Sequence, residues 1–197
     1  MKKSKRAENK AENKAKIIEA SRKLFSEKGL DKTSVSDIVK MANIGRGTFY
    51  NYFKTPTAVF TEIIDKNNKE INEVIVSSRK DAKSVYEFLY SSFKAFFDLE
   101  TTKERALFQK NNQNHIRSVS YSSSSILSIV TKLQRDLEKE NSLQLEEKED
   151  YKLFSLVAVA AASELSIGQH QFDFKVSNEK MAHFLAKLFT EGLTQTN

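Results

Sequence analysis

Apolar residues recur along nearly the whole chain at the three- and four-residue spacing of amphipathic helices. From Lys14 such a stripe predicts a first helix, and Gly29 follows as the residue that ends it. Further stripes predict helices at about 34–42, 46–53, from Pro56 through Val74, 83–99, 103–113, 121–140, 147–169 and 178–193. No convincing strand pattern appears. The sequence therefore predicts an all-α fold of about nine helices.

Local signals define the ends of the short helices. Ser34 and Asp37 have the spacing of a capping box, and Thr55 before Pro56 has the form of an N-cap followed by a proline at the first helical position. Between the second and third helices, Asn43 to Gly45 form a turn whose residues accept left-handed backbone angles. We expect a flexible basic arm or a frayed helical extension at 1–13, a three-helix head at 14–56 and a helical bundle at 57–197.

The composition of the 197 residues excludes several classes of protein. The chain has no cysteine, one proline and five glycines, so disulfides, thiolate metal sites and glycine-rich phosphate loops are all absent. The polar amino-terminal segment does not resemble a secretory signal. The most apolar stretch, Leu153–Ile167, is shorter than the roughly 18 residues of a membrane-spanning helix, so we interpret it as a buried helix. We expect a cytoplasmic protein without a membrane partner.

Positive charge is concentrated at one end of the chain. The formal net charge is +6, but residues 1–54 carry 14 basic and 6 acidic side chains, whereas the remainder has a net charge of −2. A basic end on a slightly acidic body is typical of a protein that binds a polyanion. A lysine-rich solvated surface is the simpler alternative.

The second and third helices have the arrangement of a helix-turn-helix reader, with the third helix entering the major groove of DNA. Arg46 can bind guanine, Asn51 can pair with adenine, and Thr48 can contact a base edge. The candidate base-reading residues are Arg46, Gly47, Thr48 and Asn51, and the candidate phosphate-binding residues are Thr33, Ser34, Tyr50, Tyr52 and Lys54. The alternative is a plain three-helix bundle, but a buried helix does not need Arg, Asn and two Tyr residues within seven positions.

The segment Thr33–Val59 resembles the DNA-binding head of TetR-type regulators. Gly47–Phe53 reads G-T-F-Y-N-Y-F, which is similar to that family's G-T-[LF]-Y-x-[HY]-F core. Asn43, Val39 and Pro56 depart from the pattern, and Pro56 stands where a phosphate-binding lysine is frequent. The resemblance covers about residues 10–60. It implies an operator-binding head, a body that dimerises through its last two long helices, and a small molecule that releases the DNA.

Two sets of residues in the body are candidates for the remaining roles. A pocket for an apolar or aromatic ligand would be lined by aromatic side chains and a few polar groups, here Phe93, Phe96, Phe97, Phe108, Gln109, Asn112, His115 and Tyr121. A dimer interface would use Leu156, Val157, Ala160, Ala161, Glu164, Met181, Phe184, Leu185 and Leu188. In both cases the alternative is that the same stripes form the protein's own core.

The sequence gives no support to catalysis. The three histidines lack the spacing of a metal site, and no serine stands in a G-x-S-x-G motif. We therefore predict a homodimeric transcription regulator, a repressor at a pseudo-palindromic operator, with no cofactor, no metal and no enzymatic activity. The alternatives are a DNA-binding regulator without a ligand and a helical scaffold whose basic head binds anions without reading sequence.

Overall fold

The computed structural model describes residues 2–122, 124–140, 143, 145–172 and 176–192. Within these residues it confirms an all-α fold with nine helices. They are α1 (Lys2–Lys28), α2 (Val35–Ala42), α3 (Arg46–Tyr50), α4 (Pro56–Ser78), α5 (Val85–Glu100), α6 (Lys103–Ser122), α7 (Ser124–Glu140), α8 (Lys148–Gln171) and α9 (Asn178–Glu191).

The predicted caps of the short helices are present. The Ser34 hydroxyl accepts a hydrogen bond from the Asp37 N–H, and the Asp37 carboxylate accepts one from the Ser34 N–H, which completes a capping box at α2. Asn43 ends α2 in the left-handed region, with φ 51° and ψ 51°. Helix α3 ends three residues earlier than predicted, because the Tyr52 N–H bonds to the Phe49 carbonyl and tightens the chain into a turn.

Helix α1 is much longer than predicted. Residues 2–13, expected as a flexible arm or a frayed extension, are a continuous helical part of α1. The repeated Ala-Glu-Asn-Lys sequence is rich in helix-forming residues, and the Glu12 carboxylate lies 2.7 Å from the Lys16 ammonium one turn further on. Of the two expectations, a flexible arm and a frayed extension of the first helix, the second is the one that the helical backbone of these residues supports.

The chain divides into two compact units, Met1–Lys66 with Leu107–Ser120, and Asn67–Ala106 with Tyr121–Asn197. The first unit is larger than the predicted head at 14–56, because it includes the start of α4 and the middle of α6. Its core joins α1, α2, α3, α4 and α6 through Ile17, Phe25, Ile38, Phe49, Phe60, Ile63 and Phe108. Phe60 is central, since its ring lies against both Phe25 and Phe108.

Within the first unit, a buried asparagine fastens α6 to the end of α1. Asn112, 2% exposed, donates from its side-chain amide to the carbonyl of Phe25 at 2.8 Å and accepts from the N–H of Leu30 at 2.8 Å. Next to it, the Asn111 amide donates to the Ser26 carbonyl at 2.6 Å. Helix α6 is kinked at Asn112, whose φ is −134°. The Ser26 carbonyl and the Leu30 N–H, at and just after the end of α1, thus have side-chain partners on another helix.

The second unit packs α5 against α9 and α8, and α7 against α8. Its core contains Phe88, Leu89, Phe93, Phe97, Leu133, Leu137, Ala158, Ala162, Met181, Ala182 and Leu185. Its buried charges are paired. The Arg79 guanidinium binds the Asp136 carboxylate and lies 4.4 Å from the centre of the Phe88 ring, while Arg105 binds Glu70 and Glu100.

The apolar part of α8 is longer than the sequence pattern predicts. The pattern gives an apolar stretch at Leu153–Ile167 that is too short to cross a membrane, whereas Lys148–Gln169 is long and apolar enough by length and composition. Such a helix also occurs as the core helix of a soluble protein. Here one side of α8 is buried in the second unit at Ser155, Ala158 and Ala162, whereas Leu156 and Val157 on another side are exposed.

We predict that Asn112→Ala lowers the free energy of unfolding by about 1–3 kcal/mol, because the Leu30 N–H loses its partner in a buried position. Chemical denaturation of the full chain measures the effect. Asn114→Ala is the matched control, since Asn114 is exposed on the same helix, and we expect a change below about 0.5 kcal/mol. Equal losses in the two variants would contradict the role given to Asn112.

Candidate nucleic-acid interface

Helix α3 is positioned by aromatic burial. It has only five residues, too few to be stable alone, and Phe49 on its inner side is completely buried. Phe53, directly after α3, is 6% exposed and lies 6.2 Å from Phe49 between ring centres. Ile38 and Ala42 bury the facing side of α2. The turn at Asn43 therefore joins two helices that are both fixed to the core of the first unit.

The outer side of α3 presents the predicted base-reading residues together. Arg46, Gly47 and Asn51 are exposed, and Thr48 is half-buried. Apart from its chain neighbours and the backbone of α3 itself, nothing lies within 4 Å of the position that a Cβ on Gly47 would occupy, so this part of the surface is open to an approaching molecule. The Arg46 guanidinium lies 6.0 Å from the centre of the Tyr50 ring. A forked cation, a hydroxyl and an amide are thus displayed on α3 and on Asn51, the residue that directly follows it.

Four of the five predicted phosphate-binding residues are at least partly exposed. Lys54 and Tyr50 are exposed, and Tyr50 is 49% accessible. Tyr52 is half-buried and packs against the core of the first unit, so only part of its side chain is available. Ser34 is exposed, but its hydroxyl donates to the Asp37 carboxylate at 2.7 Å.

Asp37 is an acidic residue three positions after the candidate Ser34. The Ser34 backbone N–H and hydroxyl donate to its carboxylate, and the Lys28 ammonium lies 3.0 Å away, which together hold the pKa of Asp37 well below its ordinary value. Asp37 is therefore negatively charged at neutral pH. Its charge is offset by Lys28 and by the amino end of α2.

Thr33 does not fit its predicted role. Its side chain is 6% exposed, and its hydroxyl donates to the Gly29 carbonyl at 2.8 Å. Thr33 therefore stabilises the loop between α1 and α2 and presents no hydroxyl to a phosphate. The sequence pattern missed this because the hydroxyl's partner is a main-chain carbonyl, which a pattern of side chains does not reveal.

The predicted pocket residues belong to two different units. Phe93, Phe96 and Phe97 belong to the second unit, where Phe93 stacks on Phe189 and Phe97 is completely buried. Phe108, Asn112 and His115 belong to the first unit, as does the buried Gln109. Asn112 fastens α6 to α1, and the His115 ring nitrogen lies 2.8 Å from the Asp31 carboxylate. The Tyr121 side chain lies outside the part of the structure that is described.

The predicted dimer residues also divide. Leu156, Val157, Glu164 and Phe184 are exposed on α8 and α9, and Ala160 and Ala161 are half-buried. Met181 and Leu185 are wrong as surface residues: they are 5% and 2% exposed and belong to the core of the second unit, which Leu188 also contacts. The inner stripe of α9 therefore closes the protein's own core, as the alternative interpretation held.

Sequence reasoning missed the role of Asn112. The signal was present, because Asn112 follows Phe108 by four residues and precedes Ile116 by four, so an amide lies on an apolar stripe of α6. A polar group on such a stripe is expected to bind another buried polar group. The main-chain groups of Phe25 and Leu30 are its partners, and they are more than 80 residues away in sequence.

Comparison with known proteins gives an independent view of the head. The sequence profile described as "Bacterial regulatory proteins, tetR family" matches residues 17–63. The chain is 50% identical over 50 residues to the uncharacterized HTH-type transcriptional regulator YvdT of Bacillus subtilis, covering 25% of this chain and 26% of that protein. It is 30% identical over 103 residues to IcaR of Staphylococcus aureus, covering 50% and 54%. The matches thus span about half or less of these curated relatives.

Solved structures extend the likeness of the fold to most of the chain. FadR from Bacillus subtilis in complex with stearoyl-CoA superposes with a TM-score of 0.75 at 17% identity, covering 91% of this chain and 99% of that one. FadR from Bacillus halodurans gives a TM-score of 0.73 at 19% identity, covering 92% and 96%. Both of these proteins are named as regulators. Residues 17–63 therefore match the tetR family of bacterial regulatory proteins, as the Thr33–Val59 segment predicted, and over most of the chain the likeness is one of fold.

Proposed function

We propose that the protein is a homodimeric repressor that binds a pseudo-palindromic DNA operator through α2 and α3. The observation that carries this proposal is the outer side of α3, where Arg46, Thr48 and Asn51 are presented while Phe49 is buried. A residue pattern that served only folding would have no need of this exposed set. DNA is in the cytoplasm of a bacterium, and the proposal places the protein there.

Each exposed group of α3 has a partner in the major groove. The Arg46 guanidinium has the fork geometry that binds guanine O6 and N7, and the Asn51 amide matches the edge of adenine. Lys54 and Tyr50 lie beside them as donors to phosphate. The charge of +8 over residues 1–54 favours the approach of a polyanion.

A relative supports repression rather than activation of transcription. IcaR is named as a negative transcriptional regulator of a biofilm operon. A dimer that covers two major-groove half-sites also excludes other proteins from that DNA by occupying it.

We predict that Arg46→Ala weakens binding to the preferred operator by about 1–3 kcal/mol and to unrelated DNA by much less, because the guanidinium that binds a base is removed. Lys54→Ala weakens binding to all sequences by similar factors and lowers the salt dependence, because one phosphate is no longer neutralised by an ammonium group. Selection of duplexes from a randomised pool identifies the operator. The affinities of each variant for the operator and for a random duplex, measured at two salt concentrations, then distinguish base contacts from phosphate contacts. If Arg46→Ala weakens binding to both duplexes equally, Arg46 is not a base-reading residue.

The homodimer is supported by exposed apolar side chains on two neighbouring helices of the second unit. Leu153, Leu156 and Val157 on α8 are 60%, 45% and 54% exposed, and Phe184 on α9 is 51% exposed. Half-buried Ala160 and Ala161 continue this face of α8 and allow a close approach of a second helix. An apolar surface of this kind is costly in water unless a partner covers it.

We predict that Val157→Glu combined with Phe184→Glu shifts the protein from dimer to monomer, since two charges per subunit would be buried in the interface. Sedimentation equilibrium measures the mass. Leu127→Glu is the control, because Leu127 is an exposed leucine, 64% accessible, on α7. A wild-type protein that sediments as a monomer at micromolar concentration, or a loss of dimer in the control alone, would contradict the proposed interface.

The proposed effector is an apolar small molecule held in the second unit. Phe93, Phe96 and Phe97 line the inner side of α5, and Phe154 and Phe189 lie beside them. FadR of Bacillus subtilis, which shares the fold, was solved with stearoyl-CoA, so a long acyl chain is the first candidate class. For the ligand to release DNA, it must bind more tightly to a dimer conformation in which the two DNA-binding heads no longer fit the operator than to the conformation that binds DNA.

We predict that stearoyl-CoA raises the melting temperature of the protein and releases it from the selected duplex, whereas coenzyme A alone does neither, because the acyl chain supplies the apolar contacts. Thermal unfolding and a fluorescence release assay give the two readouts. If no acyl-CoA and no aromatic compound has either effect, a DNA-binding regulator without a ligand becomes the better conclusion.

A further inference from the structure

A serine hydroxyl in the core of the second unit has no hydrogen-bond partner. Ser155 on α8 is completely buried, and its Oγ makes no hydrogen bond to any group that the structure describes. Buried hydroxyls in folded proteins normally have a partner, because removing such a group from water without a new hydrogen bond is costly. The buried Ser155 hydroxyl therefore needs a physical explanation.

Other buried or half-buried hydroxyls on the helices are satisfied locally. The Ser92 hydroxyl donates to the Phe88 carbonyl at 2.7 Å, and the Thr190 hydroxyl donates at 2.8 Å to the carbonyl four residues before it. The matching bond, from Ser155 to the carbonyl of Tyr151, is not made. The Ser155 hydroxyl thus keeps its capacity to donate and to accept for a group from elsewhere.

Ser155 lies on the inner face of α8. Tyr151, Ala158 and Ala162 share this face at helical spacing and belong to the same buried core as the phenylalanines of α5. The Tyr151 hydroxyl is already used, because it donates to the Leu143 carbonyl at 2.7 Å. The two alanines place only methyl groups beside Ser155. The hydroxyl is therefore a polar point on an otherwise apolar inner face.

The residue directly before Ser155 belongs to the rings of the proposed effector site. The Phe154 ring centre lies 5.1 Å from that of Phe189, which lies 6.0 Å from that of Phe93. An apolar site of this kind needs a few polar groups that fix the orientation of its ligand. Among the described residues of the second unit, Ser155 is the buried side chain with an unused hydrogen-bonding group.

The charges of the second unit favour an uncharged ligand group at Ser155. The buried cations that the structure describes in this unit are Arg79 and Arg105, and both bind carboxylates of the protein. A ligand carboxylate at Ser155 would be buried without an opposite charge, which is costly. A neutral carbonyl oxygen avoids this cost and can accept a hydrogen bond from the serine hydroxyl.

We propose that the Ser155 hydroxyl is the polar anchor of the effector site and donates a hydrogen bond to a neutral carbonyl oxygen, such as that of a ketone or thioester, on an otherwise apolar ligand. This proposal rests on the proposed effector in the second unit. It adds the residue that orients the ligand and excludes a free carboxylate at this position. The alternative is that Ser155 is only a small residue on a closely packed face of α8.

The test uses two pairs of probes whose members differ in one carbonyl group. The pairs are stearoyl-CoA with its thioether analogue S-octadecyl-coenzyme A, and acetylnaphthalene with ethylnaphthalene. Dissociation constants are measured by titration for the full-length wild type, Ser155→Ala and Ser21→Ala. Ser21 is the matched control, because its hydroxyl is also completely buried without a partner but lies on α1 in the first unit. Thermal unfolding without ligand compares the stability of the three proteins.

We expect the wild type to bind the carbonyl member of a pair about threefold to tenfold more tightly, which is the factor for one net hydrogen bond. Ser155→Ala binds the two members equally, whereas Ser21→Ala keeps the wild-type preference. Neither variant unfolds at a lower temperature than the wild type, because each loses a buried hydroxyl that has no partner.

Three results would contradict the anchor. If the wild type has no preference for the carbonyl, or if Ser155→Ala keeps the preference, the anchor is wrong and the effector site stands. A lower unfolding temperature for Ser155→Ala than for Ser21→Ala would mean that the hydroxyl already has a partner in the ligand-free protein, which also overturns the proposal. If the wild type binds no member of either pair, the proposed effector fails and the anchor fails with it.

Discussion

The burial of Phe49 is the interaction on which the candidate interface depends. A helix of five residues makes too few internal hydrogen bonds to form alone, so the position of α3 must come from tertiary contacts. Phe49 supplies them from the middle of the helix, and Phe53 adds a second buried ring directly after it. Because the inner side of α3 provides the packing, its outer residues contribute little to stability. The identities of Arg46, Thr48 and Asn51 are therefore not constrained by packing and can be determined by the molecule that they bind.

Phe49 is effective only because the surrounding core is itself fixed from a distance. Phe60 of α4 contacts Phe25 of α1 and Phe108 of α6, so three helices from separate parts of the sequence meet at one ring. Asn112 then ties α6 to the main chain at the end of α1 through directional hydrogen bonds. Apolar contacts alone tolerate sliding, whereas a buried amide with satisfied donors and acceptors defines one register. Gly29 belongs to the same arrangement, because a Cβ there would lie 2.8 Å from the Asn111 carbonyl oxygen.

The features predicted correctly from the sequence are those whose cause is local. The helices, the Ser34 capping box, the left-handed Asn43 and the cap of α4 at Thr55 depend on residues within four positions of one another. The errors arose where the partner is distant or is a main-chain group. Thr33 was assigned to phosphate because its bond to the Gly29 carbonyl leaves no trace in the residue pattern. Asn112 was assigned to a pocket because its partners lie on another helix, and Met181 and Leu185 were assigned to a dimer interface because an apolar stripe does not reveal which surface covers it.

The same ambiguity of apolar stripes explains why α8 has two characters. Its composition satisfies the length and hydropathy of a membrane-spanning helix, yet buried Ser155, Ala158, Ser166 and Ile167 show a side that packs within a protein core. Small residues on that side let neighbouring helices approach closely, and the larger Leu153, Leu156 and Val157 are left exposed. A helix that only closed a monomer would carry polar residues at those positions. A helix suited to lipid would not bury two serines among packed side chains. Helix α8 therefore has one side in the core of the second unit and one exposed apolar side, which is the side that the proposed dimer would cover.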